Sequence, residues 1–349
     1  MKTTDFAKYL SDFFGQYLPS ECGMSQNTVK TYSHTFLLLL EYMHQEERIK
    51  PEAVCLKDFT KTRVIAFLKW LETERKCSVS TRNARLGAIH SFAKYLQYRN
   101  ILNLSNWQEI MSIKNKKSPS RDMEYLTVEA LKLFLRQPDL KTRIGRRDFV
   151  LLSLLYDSAA RVQELIDLTP SDIRFDETTT VRLLGKGSKI RVVPMSTAQV
   201  SNLKRYMEEC GLLEPSRLNH PLFPNPQGEK LSRMAVLNIV RKYFEMAKAK
   251  SPEIMPDRLG CHSFRHSKAM HMLEADINLV YIRDFLGHSS TTTTEVYARA
   301  SEKKKQEALA KLNPGVIKDT KSSWKKDKAL LAYLKDLQQK YGTLANFRV

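Results

Sequence analysis

The chain has little of what ties small exported proteins together. Its five cysteines, Cys22, Cys55, Cys77, Cys210 and Cys261, are odd in number and none has CxxC spacing. A disulfide framework and a zinc knuckle are therefore not expected, and reduced thiols are. Cys261 stands beside His262, but no second ligand pair follows at zinc spacing, so no metal is called for. No apolar run approaches the roughly 18 residues that span a bilayer. The opening Met1 to Phe6 starts no signal-peptide core, so a cytoplasmic protein without a membrane partner is expected. Negative charge is also short: 38 Asp and Glu face 57 Lys and Arg, a formal net charge of +19. Spread along the chain rather than packed into a tail, this excess implies a polyanionic partner, nucleic acid above all.

Two motifs fail on inspection. His262 and His266 have metal-pair spacing, but HExxH is absent. Gly185-Lys186-Gly187-Ser188 resembles part of a phosphate loop, yet Gly187 stands where a Walker motif needs Ser or Thr. No nucleotide or other cofactor is expected.

What is present is a soluble globular composition, 42% hydrophobic and 27% charged over 349 residues, too long for one ordinary core. The first third reads as helical. Ser25 caps a helix with Val29, Tyr32, Phe36, Leu40 and Met43 on one face. Thr60 caps a second, with Val64, Ile65, Phe67, Leu68 and Leu71 inward. Ser80 caps a third along Leu86, Ile89, Phe92, Ala93 and Leu96. Arg82 and Arg85 are read onto its outer face, free to reach a phosphate backbone or simply solvated. No fixed-period repeat emerges. Residues 113–124, rich in lysine and serine, read as an extended solvated linker. Its Lys114, Lys116 and Lys117 serve either as spacer or as DNA contacts.

After Thr127 the helical pattern resumes. Thr178 to Leu184 is β-rich, Gly185 to Ser188 turns the chain, and Ile190, Val192 and Val193 return it as a hairpin or small antiparallel sheet. Ser196 opens further helices, and the tail around Leu330, Leu331, Tyr333, Leu334 and Leu337 reads as one more amphipathic helix.

Six polar residues from position 161 onward carry the chemistry: Arg161, Lys186, His262, Arg265, His288 and Tyr297. They occur as Ala-Arg-Val-Gln-Glu-Leu, Gly-Lys-Gly-Ser-Lys, His-Ser-Phe-Arg-His and Leu-Gly-His-Ser-Ser, followed by Glu-Val-Tyr-Ala-Arg. In these motifs the second lobe resembles the catalytic domain of the tyrosine recombinase (phage integrase) family, and the first resembles its helical core-binding domain. The resemblance runs from about Ser25 to Leu312. It implies a mainly α fold with a small antiparallel β-sheet, in two domains that clamp double-stranded DNA. The expected division is 1–112 for the core-binding (SAM-like) domain, 113–124 for the linker, 125–313 for the catalytic domain and 314–349 for a helical extension.

Each residue also has a chemical reason to be present. An attacked phosphodiester gathers charge on its non-bridging oxygens, and Arg161 and Arg265 offer planar forks of donors to them. Tyr297, a phenol with an ordinary pKa of about 10, needs help to act as nucleophile. His262 is read as the acceptor of its proton and His288 as a donor to a phosphate oxygen. Lys186 suits protonation of the leaving 5′-oxygen, with Lys189 a competitor that the bare sequence hardly separates. Glu164, one turn after Arg161, supports by orienting its neighbours.

The resemblance implies a 3′-phosphotyrosyl intermediate, religation without ATP, and a homotetramer on paired DNA sites, with accessory DNA-binding proteins as further partners. One departure stands out: the family usually places Gly and a bulkier apolar residue before the arginine, and this chain has Ala159-Ala160. A C-terminal helix docks in trans in the family; here Ser301 to Leu312 and the helix near Leu330 both qualify. The expected function is site-specific DNA recombination near the nucleoid, first for integration or transposition of a mobile element and second for chromosome-dimer resolution. DNA relaxation of the type IB topoisomerase kind and a non-catalytic DNA-binding accessory protein are the competing readings.

Overall fold

The structure, a computed structural model, describes residues 3–118, 124–185, 187, 189–288, 294–295, 297 and 328–342. The chain falls into two compact units, 1–121 and 122–349.

The first unit is helical throughout. Helix α1 (Asp5–Asp12) runs without a break into a π-helical segment, Phe13–Glu21, that contains Pro19. Then come α2 (Gln26–Glu47), α3 (Lys61–Thr73), α4 (Val79–Arg99) and α5 (Leu104–Met111). Ser25 and Thr60 cap α2 and α3 as their sequences predict, each side-chain oxygen accepting from the backbone three residues on. The cap of α4 is Ser78 rather than Ser80. The run Ser78-Val79-Ser80-Thr81 offers two hydroxyls, and the Ser78 Oγ takes the Thr81 N–H at 3.2 Å. The core is aromatic. Phe92 of α4 sits edge-on to Phe13 and Phe36, both at 5.1 Å between ring centres. Such pairs add about 0.5–1.5 kcal/mol each beyond the area they bury.

Two expectations change in this unit. Arg82 is not on an outer face: it is only 6% exposed. Its Nη1 donates to the Lys114 carbonyl at 3.3 Å and to Asn83 at 2.9 Å. The physical reason is helical phase, since Arg82 continues the buried row Leu86, Ile89, Ala93. Arg85 likewise spends its guanidinium within the unit, on the Thr31 carbonyl and the Thr35 hydroxyl. Nor is the start of the linker free. Ile113 is buried, and Asn83 both donates to the Lys116 carbonyl (2.8 Å) and accepts its N–H (3.1 Å). Lys116 pairs with Glu72 at 2.6 Å, while the side chains of Lys114 and Lys117 are exposed.

The second unit carries α6 (Val128–Leu135), α7 (Arg143–Asp157), α8 (Val162–Ile166), a three-stranded antiparallel sheet, α9 (Thr197–Glu209), α10 (Arg233–Lys250), α11 (Cys261–Glu274) and α12 (Leu279–Leu286). A last helix spans Lys328–Gly342 and leaves Leu331, Tyr333 and Leu334 exposed. Thr127 and Ser196, after which the sequence turns helical, are the caps of α6 and α9. The strands are β1 (Ile173–Arg174), β2 (Thr180–Leu184) and β3 (Ile190–Pro194), in spatial order β1-β2-β3. β2 and β3 form the expected hairpin, with Val181 opposite Val193 and Leu183 opposite Arg191. Val181, Leu183 and Val193 face the core, so the two-residue period of a strand sets Arg191 on the inward row beside Val193. Ser301 to Leu312 lies outside the described residues. Among the described residues no helix is long and apolar enough to cross a membrane.

Candidate active site

The site is assembled where three helix ends meet. Helix α7 stops at Asp157, and the chain turns through Ala159, whose φ of 47° lies in the left-handed region. An alanine there costs about 1 kcal/mol or more, which explains why glycine suits this position better. The turn delivers Arg161 to the N-cap of α8, where its backbone N–H donates to Glu164 at 2.8 Å. Helix α12 ends at Gly287, also left-handed with φ 63°, and His288 follows. On α11, His262, Arg265 and His266 share one face at i, i+3 and i+4.

Arg265 ties these ends together. It is 3% exposed, its Nη1 donates to the Ala159 carbonyl at 2.8 Å, and its Nη2 donates to the Leu286 carbonyl. Glu164 does the same for two other guanidiniums. Its Oε1 accepts from Arg161 (2.7 Å) and Arg191 (2.9 Å), and its Oε2 accepts from the second Arg191 nitrogen (2.7 Å). Arg191 is a site residue that sequence reasoning missed. The usable signal was a charged residue on the inward row of a strand. Glycine lets the parts approach: a Cβ on Gly185 would stand 3.3 Å from Glu164 Oε1, and one on Gly287 would stand 2.9 Å from Arg191 Cδ.

Tyr297 closes the site. Its ring is 2% exposed and packs with Ala159, Ala269, Met270, Leu273, Ile282 and Leu286. His288 lies parallel to it, ring centres 6.4 Å apart, and is itself held by Thr294 at 3.0 Å from its Nδ1. The sequence reading gave the phenol's proton to His262. In the structure the hydroxyl is hydrogen-bonded to His266 Nδ1 at 3.0 Å, one turn later on α11. Lys186 lies outside the described residues. The side chain of Lys189 is exposed, and its carbonyl accepts the Gly185 N–H at 2.7 Å, closing the hairpin.

The electrostatics follow from packing cations together in a dry place. Burial, with Arg161 and Arg191 alongside, lowers Arg265 to about 10, which still leaves it charged at neutral pH. Burial and the same cations lower His288 to about 4, and burial with His262 and Arg265 lowers His266 to about 4. His262 is also lowered, by burial and then by Arg265 and Arg161. These three imidazoles are therefore neutral at neutral pH. Burial raises Tyr297, while Arg265 and Arg161 pull it back toward ionisation. Among the described residues no group of three or more His, Cys, Asp or Glu is placed to hold a metal ion.

Burial alone would raise Glu164, but hydrogen bonds and charge from Arg191 and Arg161 outweigh it, so its pKa falls below the ordinary 4.5. A depressed carboxylate stabilises the fold fully above its unfolded pKa, and that stabilisation drains away as pH falls through the folded value. Glu164→Gln should therefore lose about 3–5 kcal/mol at neutral pH, the scale for breaking a buried ion pair. It should also flatten the acid limb of stability that wild type shows below pH 4.5, as thermal melts between pH 7 and pH 3 would reveal. Gly287→Ala should cost about 1–2 kcal/mol from backbone strain alone. It also displaces Arg191, so DNA cleavage should slow by about ten-fold through misplacement. A mutant with wild-type melting and rate would refute the packing described for that glycine.

Comparison with known proteins agrees with this architecture. A profile of the phage integrase family matches residues 124–304, and one of the phage integrase N-terminal SAM-like domain matches residues 12–100. The y4rC protein of Sinorhizobium fredii is 32% identical over 337 residues, 96% of this chain and 99% of that protein. The tyrosine recombinase XerD of Chlorobaculum tepidum is 33% identical over 290 residues, 81% of this chain and 89% of that one. In fold the chain is similar to XerH site-specific recombinase in its post-cleavage complex with palindromic difH substrate, with TM-score 0.65 and 21% identity over 86% of this chain and 84% of that one. It is similar also to the Tn1549 transposon integrase in complex with a circular intermediate DNA, with TM-score 0.66 and 15% identity over 89% of this chain and all of that one. The class is thus that of enzymes that cut and rejoin DNA strands. Within it, the chain belongs to the phage integrase family: it is a tyrosine recombinase, and its activity is site-specific recombination.

Proposed function

We propose that Tyr297 is the nucleophile of this recombinase and that Arg161, Lys186, His262, Arg265 and His288 complete its catalytic set on double-stranded DNA. The observation that carries the reading is the Tyr297 phenol itself, buried, parallel to His288 and with its hydroxyl 3.0 Å from Nδ1 of His266, the residue that follows Arg265. The phenol oxygen forms a bond to phosphorus as the bond from phosphorus to the 5′-oxygen breaks. Arg161 and Arg265 meet the charge that grows on the non-bridging oxygens, and neutral His288 donates a hydrogen bond there. His262 on α11 takes the phenolic proton, and Lys186 gives a proton to the departing 5′-oxygen. The product is a 3′-phosphotyrosyl ester. Attack by another 5′-hydroxyl reverses the same transfers, so joining needs no external energy source. Glu164 and Arg191 hold Arg161 in place and touch no reacting atom.

The DNA grip draws on the net charge of +19, with the exposed Lys114 and Lys117 as contacts from the first unit. Arg82 and Arg85 serve instead as braces within it. The expected domain division, the assembly of four copies on paired sites, and action at the nucleoid all belong to this reading.

Integration or transposition of a mobile element is the role best supported. The similarity in fold to the Tn1549 transposon integrase and the 32% identity to the y4rC protein, an integrase/recombinase, support it. The 33% identity to the C. tepidum XerD favours chromosome-dimer resolution as the second reading. The test is a nicked suicide duplex bearing candidate element ends, incubated with the protein in EDTA. A covalent adduct resistant to detergent is expected. Intact binding without any adduct would overturn the assignment of Tyr297 as nucleophile.

A further inference from the structure

Three imidazoles line the site, and the one that holds Tyr297 is not among the six residues that the family resemblance singles out. His266 follows Arg265 directly on α11. Its Nδ1 lies 3.0 Å from the Tyr297 hydroxyl, with ring centres 5.8 Å apart and planes inclined at 53°. His262 stands one turn earlier, its ring centre 5.7 Å from that of His266. The nucleophile is thus fixed on three sides. The apolar cluster around Met270 and Ile282 holds the ring, His288 lies parallel to it, and His266 takes the hydroxyl.

We propose that His266 is a positioning residue for Tyr297: its Nδ1 accepts the phenolic hydrogen bond and turns the O–H aside, so that an oxygen lone pair faces the phosphate held by Arg161 and Arg265. The inference rests on Tyr297 being the nucleophile. Its physical basis is the geometry of a phenol. The hydroxyl has one hydrogen and rotates freely when unheld, and a hydrogen pointing at phosphorus blocks the lone pair that must attack. An acceptor on the far side removes that unproductive rotamer before DNA arrives. A neutral imidazole with Nδ1 unprotonated can accept; an imidazolium cannot. Burial, with His262 and Arg265 beside it, keeps His266 neutral at neutral pH. The same low proton affinity makes His266 a poor final store for the proton, which is why orientation is its assigned role.

The test compares two substitutions at one position. In asparagine the side-chain oxygen occupies nearly the place of Nδ1 and accepts a hydrogen bond; alanine has no acceptor. Single-turnover adduct formation on the nicked suicide duplex should slow by about ten- to a hundred-fold in His266→Ala, the scale of lost orientation. His266→Asn should restore most of the rate, and a mobility-shift assay should show equal DNA binding by both. Equal impairment of the two variants, or wild-type rates in both, would overturn the proposal. A second readout needs no DNA. Nitrogen-15 spectra of histidine-labelled protein should show the Nδ1 signal of His266 moving when Tyr297→Phe removes the donor; an unmoved signal would also overturn it. Failure of the underlying reading looks different, because Tyr297→Phe would then still form the adduct.

Discussion

Tyr297→Phe should abolish covalent capture of cleaved DNA, a fall of at least about 10⁴-fold in adduct formation, because the phenol oxygen is the atom proposed to form the bond to phosphorus. The fold should survive. The ring belongs to a buried apolar cluster with Ala159, Ala269, Met270, Leu273, Ile282 and Leu286, and phenylalanine keeps its place in that cluster. Only the hydrogen bond to His266 is lost, a change of about 1 kcal/mol, visible as a drop of a few degrees in melting temperature. DNA binding should persist, because the guanidiniums and the basic surface are untouched. Detergent-resistant adducts, mobility shifts and melting curves on one preparation would separate chemistry from stability. An adduct undiminished in the phenylalanine variant would show Tyr297 to be a packing residue.

The second large effect is expected at Arg265, which braces the site through two backbone carbonyls and, in the proposed mechanism, also meets a phosphate oxygen. Arg265→Lys keeps a positive charge but loses the planar fork, and one ammonium cannot reach the Ala159 carbonyl, the Leu286 carbonyl and a phosphate oxygen together. Each buried carbonyl left without a donor costs about 1–3 kcal/mol. Cleavage should fall by about 10²–10³-fold, the scale for removing a preorganised donor to a developing oxyanion. The lysine also starts from a lower pKa than arginine. The burial and neighbouring cations that lower Arg265 to about 10 would drive it toward neutrality. Arg161→Lys makes a useful contrast, because that side chain is 33% exposed and its described side-chain bond goes to Glu164. It should lose rate with a smaller loss of melting temperature. Equal destabilisation by the two lysines would contradict the bracing described for Arg265.

Much of this architecture was legible because its signals were local. Ser25, Thr60, Thr127 and Ser196 each precede an apolar period and each caps a helix. The hairpin announced itself through β-branched residues on both sides of Gly185. The errors came from letting residue type overrule phase. Arg82 continues the buried row of α4, and Arg191 falls on the inward row of β3, yet charge argued for solvent in one case and drew no attention in the other. Before Ser25 the sequence offers no clear helical stripe, since Pro19 interrupts the pattern that the π-helical segment accommodates. Strand β1, two residues long, is too short to show any period. His266 was weighed only as half of a metal pair. Its partner, Tyr297, comes from a different part of the chain, and no spacing rule reaches across that distance.

Around Glu164 and Arg265 the native state gathers three guanidiniums, of Arg161, Arg191 and Arg265, against a single buried carboxylate. Their mutual repulsion sets the folded unit against itself whenever no anion is present. On the proposed mechanism a phosphodiester entering that space would discharge the excess, and DNA that binds only the folded form would stabilise it by mass action. The free energy released when backbone phosphate docks is then partly the relief of a cost incurred at folding. On that account added DNA would raise the melting temperature of the catalytic unit, the substrate supplying the missing negative charge.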